Sequence, residues 1–315
     1  MGSVGFAKYV MKKFQKFPTF DIEKVGERNE VFHHNLFLKG STDQQKKIML
    51  KSSQSKYENE FNFPFDKYFG ISLLPFLKDK TVLDLGCFTG GRSAAWFERY
   101  QMKHLSGIDI NDIYIEAATQ YAALKNISAD YRKGTGEKIP YADNQFDAVI
   151  TYDVFEHVRD LRKTMAECQR VLKPEGKLIV VFPSYYQPIE HHLGLVSNMP
   201  GLQFMFSGKT LIKAYYEILK ERGEKAYWYN RDSPDLEKWE KGNTINGTTY
   251  RQFRNICIEQ DWKKIFQSRK PIGSVGRKFE KNKLLKGLMK VFTPLTYVPF
   301  LQEILLHRIA VILEK

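Results

Sequence analysis

Cysteine is scarce in this chain. Its 315 residues hold three, Cys87, Cys168 and Cys257, and no two stand at the short spacing of a metal finger or a redox pair. A disulfide framework and a structural zinc site are thereby excluded as organising devices, and free thiols in a reducing compartment are expected. Long apolar runs are lacking too. No stretch approaches the roughly 20 residues that a membrane-crossing helix needs, and the first residues show no signal-peptide core or cleavage site. The expectation is a cytoplasmic protein whose only membrane role would be peripheral. Acidic residues are the minority charge: Lys and Arg total 49 against 36 Asp and Glu, a net charge of +13. The imbalance concentrates from Asp261 to Lys315, where twelve basic residues face four acidic ones. Such a surface suits an anionic partner, membrane or nucleic acid, or is simply a solvated basic face. No internal repeat or low-complexity tract is present.

What the chain does have is a glycine-rich turn behind a short apolar run. In Lys80-Thr-Val-Leu-Asp-Leu-Gly-Cys-Phe-Thr-Gly-Gly91, Val82, Leu83 and Leu85 are interrupted by one acid, Asp84. A run so short and branched predicts a buried parallel strand. Gly86, Gly90 and Gly91 then lead into a helix from Arg92, a turn that lets the backbone approach a ligand. A second apolar segment, His104-Leu-Ser-Gly-Ile-Asp-Ile-Asn111, ends in Asp109, 25 positions after Asp84. An acid at about that distance suits a two-oxygen hold on ribose hydroxyls. The G-x-G-x-x-G spacing of a pyrophosphate turn is missing, because Cys87 and Phe88 intervene. That excludes the nicotinamide-dehydrogenase version of this architecture. Two further segments follow: Gly134 to Tyr141 with Gln145 to Asp153, and Val171 to Phe182.

In this order and spacing the four segments resemble the motifs of class I S-adenosylmethionine-dependent methyltransferases, over roughly Tyr57 to Phe182. The resemblance implies an α/β fold: a seven-stranded, mostly parallel Rossmann-like sheet with helices on both faces and an antiparallel edge hairpin. To this the chain would add an N-terminal helical extension and a helical insert. The expected divisions are 1–55, the extension; 56–183, the cofactor-binding core; 184–250, a substrate-covering insert; and 251–315, completing the sheet with a basic helix at 276–290. The resemblance implies S-adenosyl-L-methionine as cofactor. Asp84 with the backbone of Gly86 and Gly90 would hold its methionine part, with Cys87 in the same loop. Asp109 would accept the ribose hydroxyls and Ile110 would pack on adenine. Thr135 and Gly136 would lie at the adenine edge, where the common family pattern has Asp in place of Thr135. Tyr152 and Asp153 would line the methyl-bearing end. Tyr57, in the aromatic segment before the first strand, is a further candidate contact or a core ring.

Asp153-Val-Phe-Glu-His157 resembles the Glu-x-x-Glu-His metal motif of ubiquinone-pathway O-methyltransferases and small-RNA 2′-O-methyltransferases. Two carboxylates and an imidazole suit a divalent ion, yet the reading adopted is catalysis without a metal. His191 and His192, just past the fourth segment, are the candidate bases, of which only one is expected to face the site. Residues 1–20 read as a basic amphipathic helix. Phe6, Val10, Phe14 and Phe17 share a face, docked on the protein itself or on an anionic membrane. The function expected is methylation, at oxygen, of a small-molecule, lipid-linked or sugar-linked acceptor. An RNA 2′-O-methyltransferase with a divalent metal is the alternative, although no RNA-binding signature accompanies it. A non-catalytic cofactor-binding partner subunit is the third reading, opposed by the intact Asp84, Asp109 and glycine pattern.

Overall fold

The computed structural model describes residues 3–15, 42–189, 193, 196–221, 246–275, 287 and 291–315. The chain divides into two compact units, Lys46–Ser184 with Thr248–Lys315, and Met1–Gln45 with Tyr185–Gly247. Residues 1–45 of the expected extension and 185–247 of the expected insert therefore belong to one unit. The expected break at 55/56 falls inside a continuous helix, α2 (Thr42–Asn62), after α1 (Val4–Lys13).

The larger unit is built on seven strands. They are β1 (Thr81–Leu85), β2 (His104–Asp109), β3 (Ala129–Lys133), β4 (Phe146–Tyr152), β5 (Leu172–Phe182), β6 (Lys263–Gln267) and β7 (Ile309–Glu314). Their order across the sheet is β3-β2-β1-β4-β5-β7-β6. The first five run parallel, and β7 is antiparallel to both β5 and β6. The fold is the α/β sheet with an antiparallel edge hairpin that the sequence predicts. Short helices α3 (Asp66–Phe69) and α4 (Leu74–Leu77) precede β1. The connections α5 (Gly91–Arg99), α6 (Asp112–Leu124) and α7 (Leu161–Val171) follow β1, β2 and β4.

Local chemistry explains these helix starts. The Asn111 side chain accepts from Ile113 N at 3.0 Å to open α6, and Asp160 accepts from Lys163 N at 3.0 Å to open α7. Each satisfies an orphan N–H of a first turn. Apolar strand residues then divide between two cores. Leu83, Leu85, Val149 and Val180 join Phe155, Met165 and Phe253 on one face. Val82, Ala148, Ile150 and Val181 join Phe65, Trp96 and Tyr100 on the other. Alternation along buried strands puts successive residues into opposite cores.

The smaller unit holds α1, α8 (Leu202–Met205) and α9 (Gly208–Glu221) around its own core of Met11, Leu193, Leu211, Ile212 and Tyr215. Helix α1 does pack on the protein, through a face that shares only Val10 with the one read from the sequence. Ala7, Val10 and Met11 are its buried residues, whereas Phe6 and Phe14 are about half exposed. Lys8 reaches Glu217 at 2.9 Å and also pairs with Glu221 on α9, and Lys12 pairs with Glu221. Exposed ion pairs add little; Ala7, Val10 and Met11, buried in the core of this unit, set the docked face, and half-exposed Phe6 rests at its margin with its ring centre 5.9 Å from that of Phe206. The chain returns to the larger unit at α10 (Tyr250–Glu259), and α11 (Leu301–Leu305) precedes β7. The expected basic helix at 276–290 and Phe17 lie outside the described residues, apart from Gly287.

Candidate active site

The C-terminal ends of β1, β2 and β4 converge where a ligand crevice is expected in an open parallel sheet. The glycine turn after β1 is shaped by close packing. Gly86 has φ 80° and a Cβ there would meet Val154 Cγ2 at 2.4 Å; Gly90 has φ 72° and its Cβ would meet Ala118 at 2.7 Å. Any side chain at either position would collide as well as strain the left-handed backbone. The N–H groups of Gly86 and Cys87 both donate to Ile108 O at 2.9 Å, tying the turn to β2. From α2, Ser53 Oγ lies 2.7 Å from Thr89 O and donates to it.

Asp109 stands at the tip of β2. Its Oδ2 accepts from Phe88 N at 3.1 Å, and its Oδ1 accepts from Asn111 N at 3.1 Å. The residue is half-buried, so both oxygens keep lone pairs for another donor. Burial pushes its carboxyl up to about 6, partly opposed by those backbone donors. Ile110 beside it is 61% exposed, an apolar surface left open next to a carboxylate. Gly134 N donates to Asp109 O at 3.0 Å, bringing the 134–136 loop to the same edge. There Thr135 is exposed and bridges to Lys138, while Gly136 is buried against Thr164.

Asp84 is placed differently from Asp109. It is buried and accepts from Ser93 Oγ, on the first turn of α5. Burial raises its carboxyl to about 6, while the Ser93 bond and the Arg92 charge pull the other way. It therefore clamps the strand tip to the helix that follows. Cys87 is buried with its Cβ facing Gly107, and burial drives its thiol well above the usual range. It is a packing residue rather than a nucleophile.

Tyr57 lies elsewhere. Its hydroxyl donates to Glu98 near the end of α5, and Lys125 Nζ sits 3.7 Å from its ring centre, past the end of α6. Those helix ends are remote from the glycine turn, because α5 and α6 run away from it. Ser53, one turn earlier on α2, is the residue that reaches the turn.

At the end of β4 a second group assembles. The Tyr152 hydroxyl is 2.7 Å from that of Tyr68, and the Arg92 guanidinium lies 4.0 Å over the Tyr152 ring. Asp153, at φ 56°, pairs with Arg308 at 2.9 Å, and His307 stacks on Tyr68 with ring centres 6.0 Å apart. Sequence reasoning misses Tyr68, Arg92, His307 and Arg308. Arg92 carries a signal all the same: a cation in a helix's first turn opposes the helix dipole and needs another reason to be there. Glu156 is buried, with Oε1 3.8 Å from His157 Nε2. Among the described residues no cluster of three or more His, Cys, Asp or Glu side chains is arranged to hold a metal. His191 and His192 lie outside the described residues.

Comparison with known proteins gives the site its context. Residues 83–180 match the family described as a methyltransferase domain. This segment carries a methyltransferase domain of the S-adenosylmethionine-dependent kind. The chain is 37% identical over 101 residues to the sterol 24-C-methyltransferase erg-4 of Neurospora crassa, covering 31% of this chain and 26% of that protein. It is 30% identical over 155 residues to the methyltransferase YcgJ of Bacillus subtilis, covering 44% of this chain and 59% of that one. A ubiquinone biosynthesis O-methyltransferase of Bartonella tribocorum is 34% identical over 110 residues, 35% of this chain and 43% of its own length. The chain thus spans less than two thirds of each of these relatives, and the shared part is the methyltransferase core.

The donor set fits the family's cofactor. A half-open carboxylate can accept from a sugar diol, an exposed apolar side chain beside it can meet a flat ring, and the glycine turn admits close backbone approach. No helix among the described residues is long and apolar enough to cross a membrane.

Proposed function

We propose that this protein transfers the methyl group of S-adenosylmethionine to oxygen on a small-molecule, lipid-linked or sugar-linked acceptor. The observation that carries the reading is Asp109, held at the β2 tip by two backbone N–H groups with lone pairs to spare, next to open Ile110. In this reading Asp109 accepts the ribose hydroxyls, Ile110 packs on the adenine, and Thr135 and Gly136 border it. The backbone of Gly86 and Gly90 receives the methionine part, with Asp84 fixing the turn through Ser93. Tyr152 and Asp153 line the methyl-bearing end.

When bound, the cofactor supplies a methyl group already activated by a positively charged sulfur. The protein's task is then alignment, and holding reactants in near-attack geometry can contribute about 7–11 kcal/mol. The Tyr68–Tyr152 hydroxyl pair and the Arg92 cation restrict one wall of that space. A base is needed where the acceptor loses a proton. His191 and His192 are the residues proposed for it, since both follow β5, whose C-terminal end borders the crevice. The names of the sterol and ubiquinone relatives support an apolar acceptor, and the latter supports oxygen as the atom methylated.

The test is a methyl-acceptor screen with labelled cofactor over lipid, glycan, metabolite and RNA fractions of a cell extract. Label in an apolar small-molecule or lipid fraction, lost in the Asp109→Ala variant, supports the proposal. Label confined to RNA would replace the acceptor class.

A further inference from the structure

We infer that residues 291–300 form a docking surface for an anionic lipid bilayer. The segment reads Val-Phe-Thr-Pro-Leu-Thr-Tyr-Val-Pro-Phe. Its large apolar side chains point outward, from Leu295 at 37% exposed to Phe300 at 72%, with Val291, Phe292, Tyr297 and Val298 between. Folding normally hides such residues, and a contiguous exposed group marks an interaction site.

The backbone keeps them there. Residues Pro294–Tyr297 form one 3₁₀ turn. Thr296, fully buried, donates through its hydroxyl to Thr293 O at 2.6 Å. Arg269 donates to Thr296 O at 2.9 Å and to Gln302 Oε1 at 3.0 Å, and Gln302 Nε2 donates to Pro299 O at 3.0 Å. The turn is pinned from beneath by polar groups while its apolar side faces out. Pro294 and Pro299 further limit collapse.

Charge identifies the occupant. Residues 277–290 carry Arg277, Lys278, Lys281, Lys283, Lys286 and Lys290 against one acid, Glu280. From Lys281 to Gln302 there is no Asp or Glu. A basic stretch next to exposed Phe, Tyr, Leu and Val is the composition that binds anionic lipid, cations to headgroups and apolar side chains to the acyl boundary. Single-stranded nucleic acid would use the cations and aromatic faces, but it leaves Val291, Leu295 and Val298 with nothing to gain.

Position gives the docking a use. Ile309 of β7 pairs with Phe182, the last residue of β5, so the β6–β7 connection emerges at the crevice edge of the sheet. Its base is closed by Ile272 N to Leu305 O at 2.7 Å and His307 N to Lys270 O at 2.8 Å. Arg308, directly after that closure, pairs with Asp153. A bilayer bound at 291–300 therefore lies on the crevice side of the larger unit. The inference concerns where the protein sits and holds apart from the identity of the acceptor.

The test is flotation of the full chain with vesicles of phosphatidylcholine alone, or with one third phosphatidylglycerol. The full chain should float with the anionic vesicles, fall off steeply as salt rises, and stay behind with phosphatidylcholine alone. Tyr297→Ser with Phe300→Ser should lower vesicle binding about tenfold or more. Lys281→Gln, Lys283→Gln, Lys286→Gln and Lys290→Gln together should remove the salt-sensitive part. A Phe300→Trp variant gives a readout that needs no loss of side chain: compared with the parent, its added emission should shift to the blue on anionic vesicles. Calorimetry with S-adenosylhomocysteine on each variant reports the cofactor site separately. Failure of the full chain to float at low salt, undiminished flotation of the double serine variant, or unshifted emission from the Phe300→Trp variant would overturn the inference. So would a dimer dispersed by the serine changes in a chain that ignores vesicles.

Discussion

Asp109 keeps two backbone hydrogen bonds and a carboxyl raised to about 6 by burial, and both facts bear on binding. Its ordinary value is near 3.9. The folded apoprotein therefore holds more protons than the unfolded chain between about pH 4 and 6, and Asp84, also raised to about 6, adds to this. With folded values above unfolded ones, the contribution of these two acids to stability is present below about pH 4 and lost as pH rises through about 6. Ligand binding runs the other way, because ribose hydroxyls need the ionised carboxylate. Affinity for S-adenosylhomocysteine should weaken as pH falls below about 6, and Asp109→Asn should flatten that profile. Asp109→Ala should cost roughly 1–3 kcal/mol of binding; unchanged affinity by calorimetry would remove Asp109 from the site. The histidines make a separate prediction. His191→Ala or His192→Ala should leave cofactor affinity alone, and one of them should lower turnover about 10²–10⁴-fold. If instead a chelator abolishes activity, magnesium restores it, and both alanine variants remain active, the Asp153, Glu156 and His157 trio takes over.

At the scale of elements, one small helix ties distant parts of the larger unit together. Glu303, buried on α11, accepts from Tyr250 N at 2.8 Å and Arg251 N at 2.7 Å, which are the first N–H groups of α10, and from Ser184 Oγ at 2.5 Å, just past β5. A carboxylate at a helix N-terminus also meets the favourable end of its dipole. Glu303→Ala should destabilise the protein by about 2–4 kcal/mol, since it strips three donors of their acceptor at a buried position. Denaturant unfolding measures this, and Glu303→Gln should recover part of it. Nothing near Glu303 in sequence announces the role, because its partners lie more than 50 residues away. The strands β1, β2 and β4 and the second half of β5 are legible, since each is a short apolar run buried on both faces. Strand β3, Ala-Asp-Tyr-Arg-Lys, is not, because at the sheet edge only Tyr131 is buried. The face of α1 escapes the sequence for a related reason. Phenylalanine spacing suggests one stripe, and the burial of Ala7, Val10 and Met11 in the core of the smaller unit selects another. In the site, Asp109 and the glycine turn are legible from spacing, whereas Arg308 and Tyr68 meet β4 only through the fold. Tyr57 precedes β1 closely enough to suggest a contact, but a helix of 21 residues carries it past the turn.

Over the whole molecule, the two units carry separate apolar cores, and all the described residues proposed to hold the cofactor lie in the larger one. A ligand that binds only the native state stabilises the structure that forms its site, by about 2.7 kcal/mol at a hundred times its dissociation constant. Because β1, β2 and β4 are interior strands, each paired on both sides, opening any of them breaks the site. Exchange of their amide hydrogens must then pass through states that have released the ligand, so protection should rise by that same amount. Hydrogen exchange read by mass spectrometry resolves the units. With saturating S-adenosylhomocysteine, peptides covering 82–110 and 146–153 should slow by about a hundredfold wherever exchange follows opening of the sheet. Peptides from α1 and from 208–221 contain none of those residues and should slow much less. Equal slowing in both sets would mean that the cofactor alone also stabilises the smaller unit. No slowing in 82–110 would remove the crevice at β1 and β2 as the binding site, whatever the catalytic assays show.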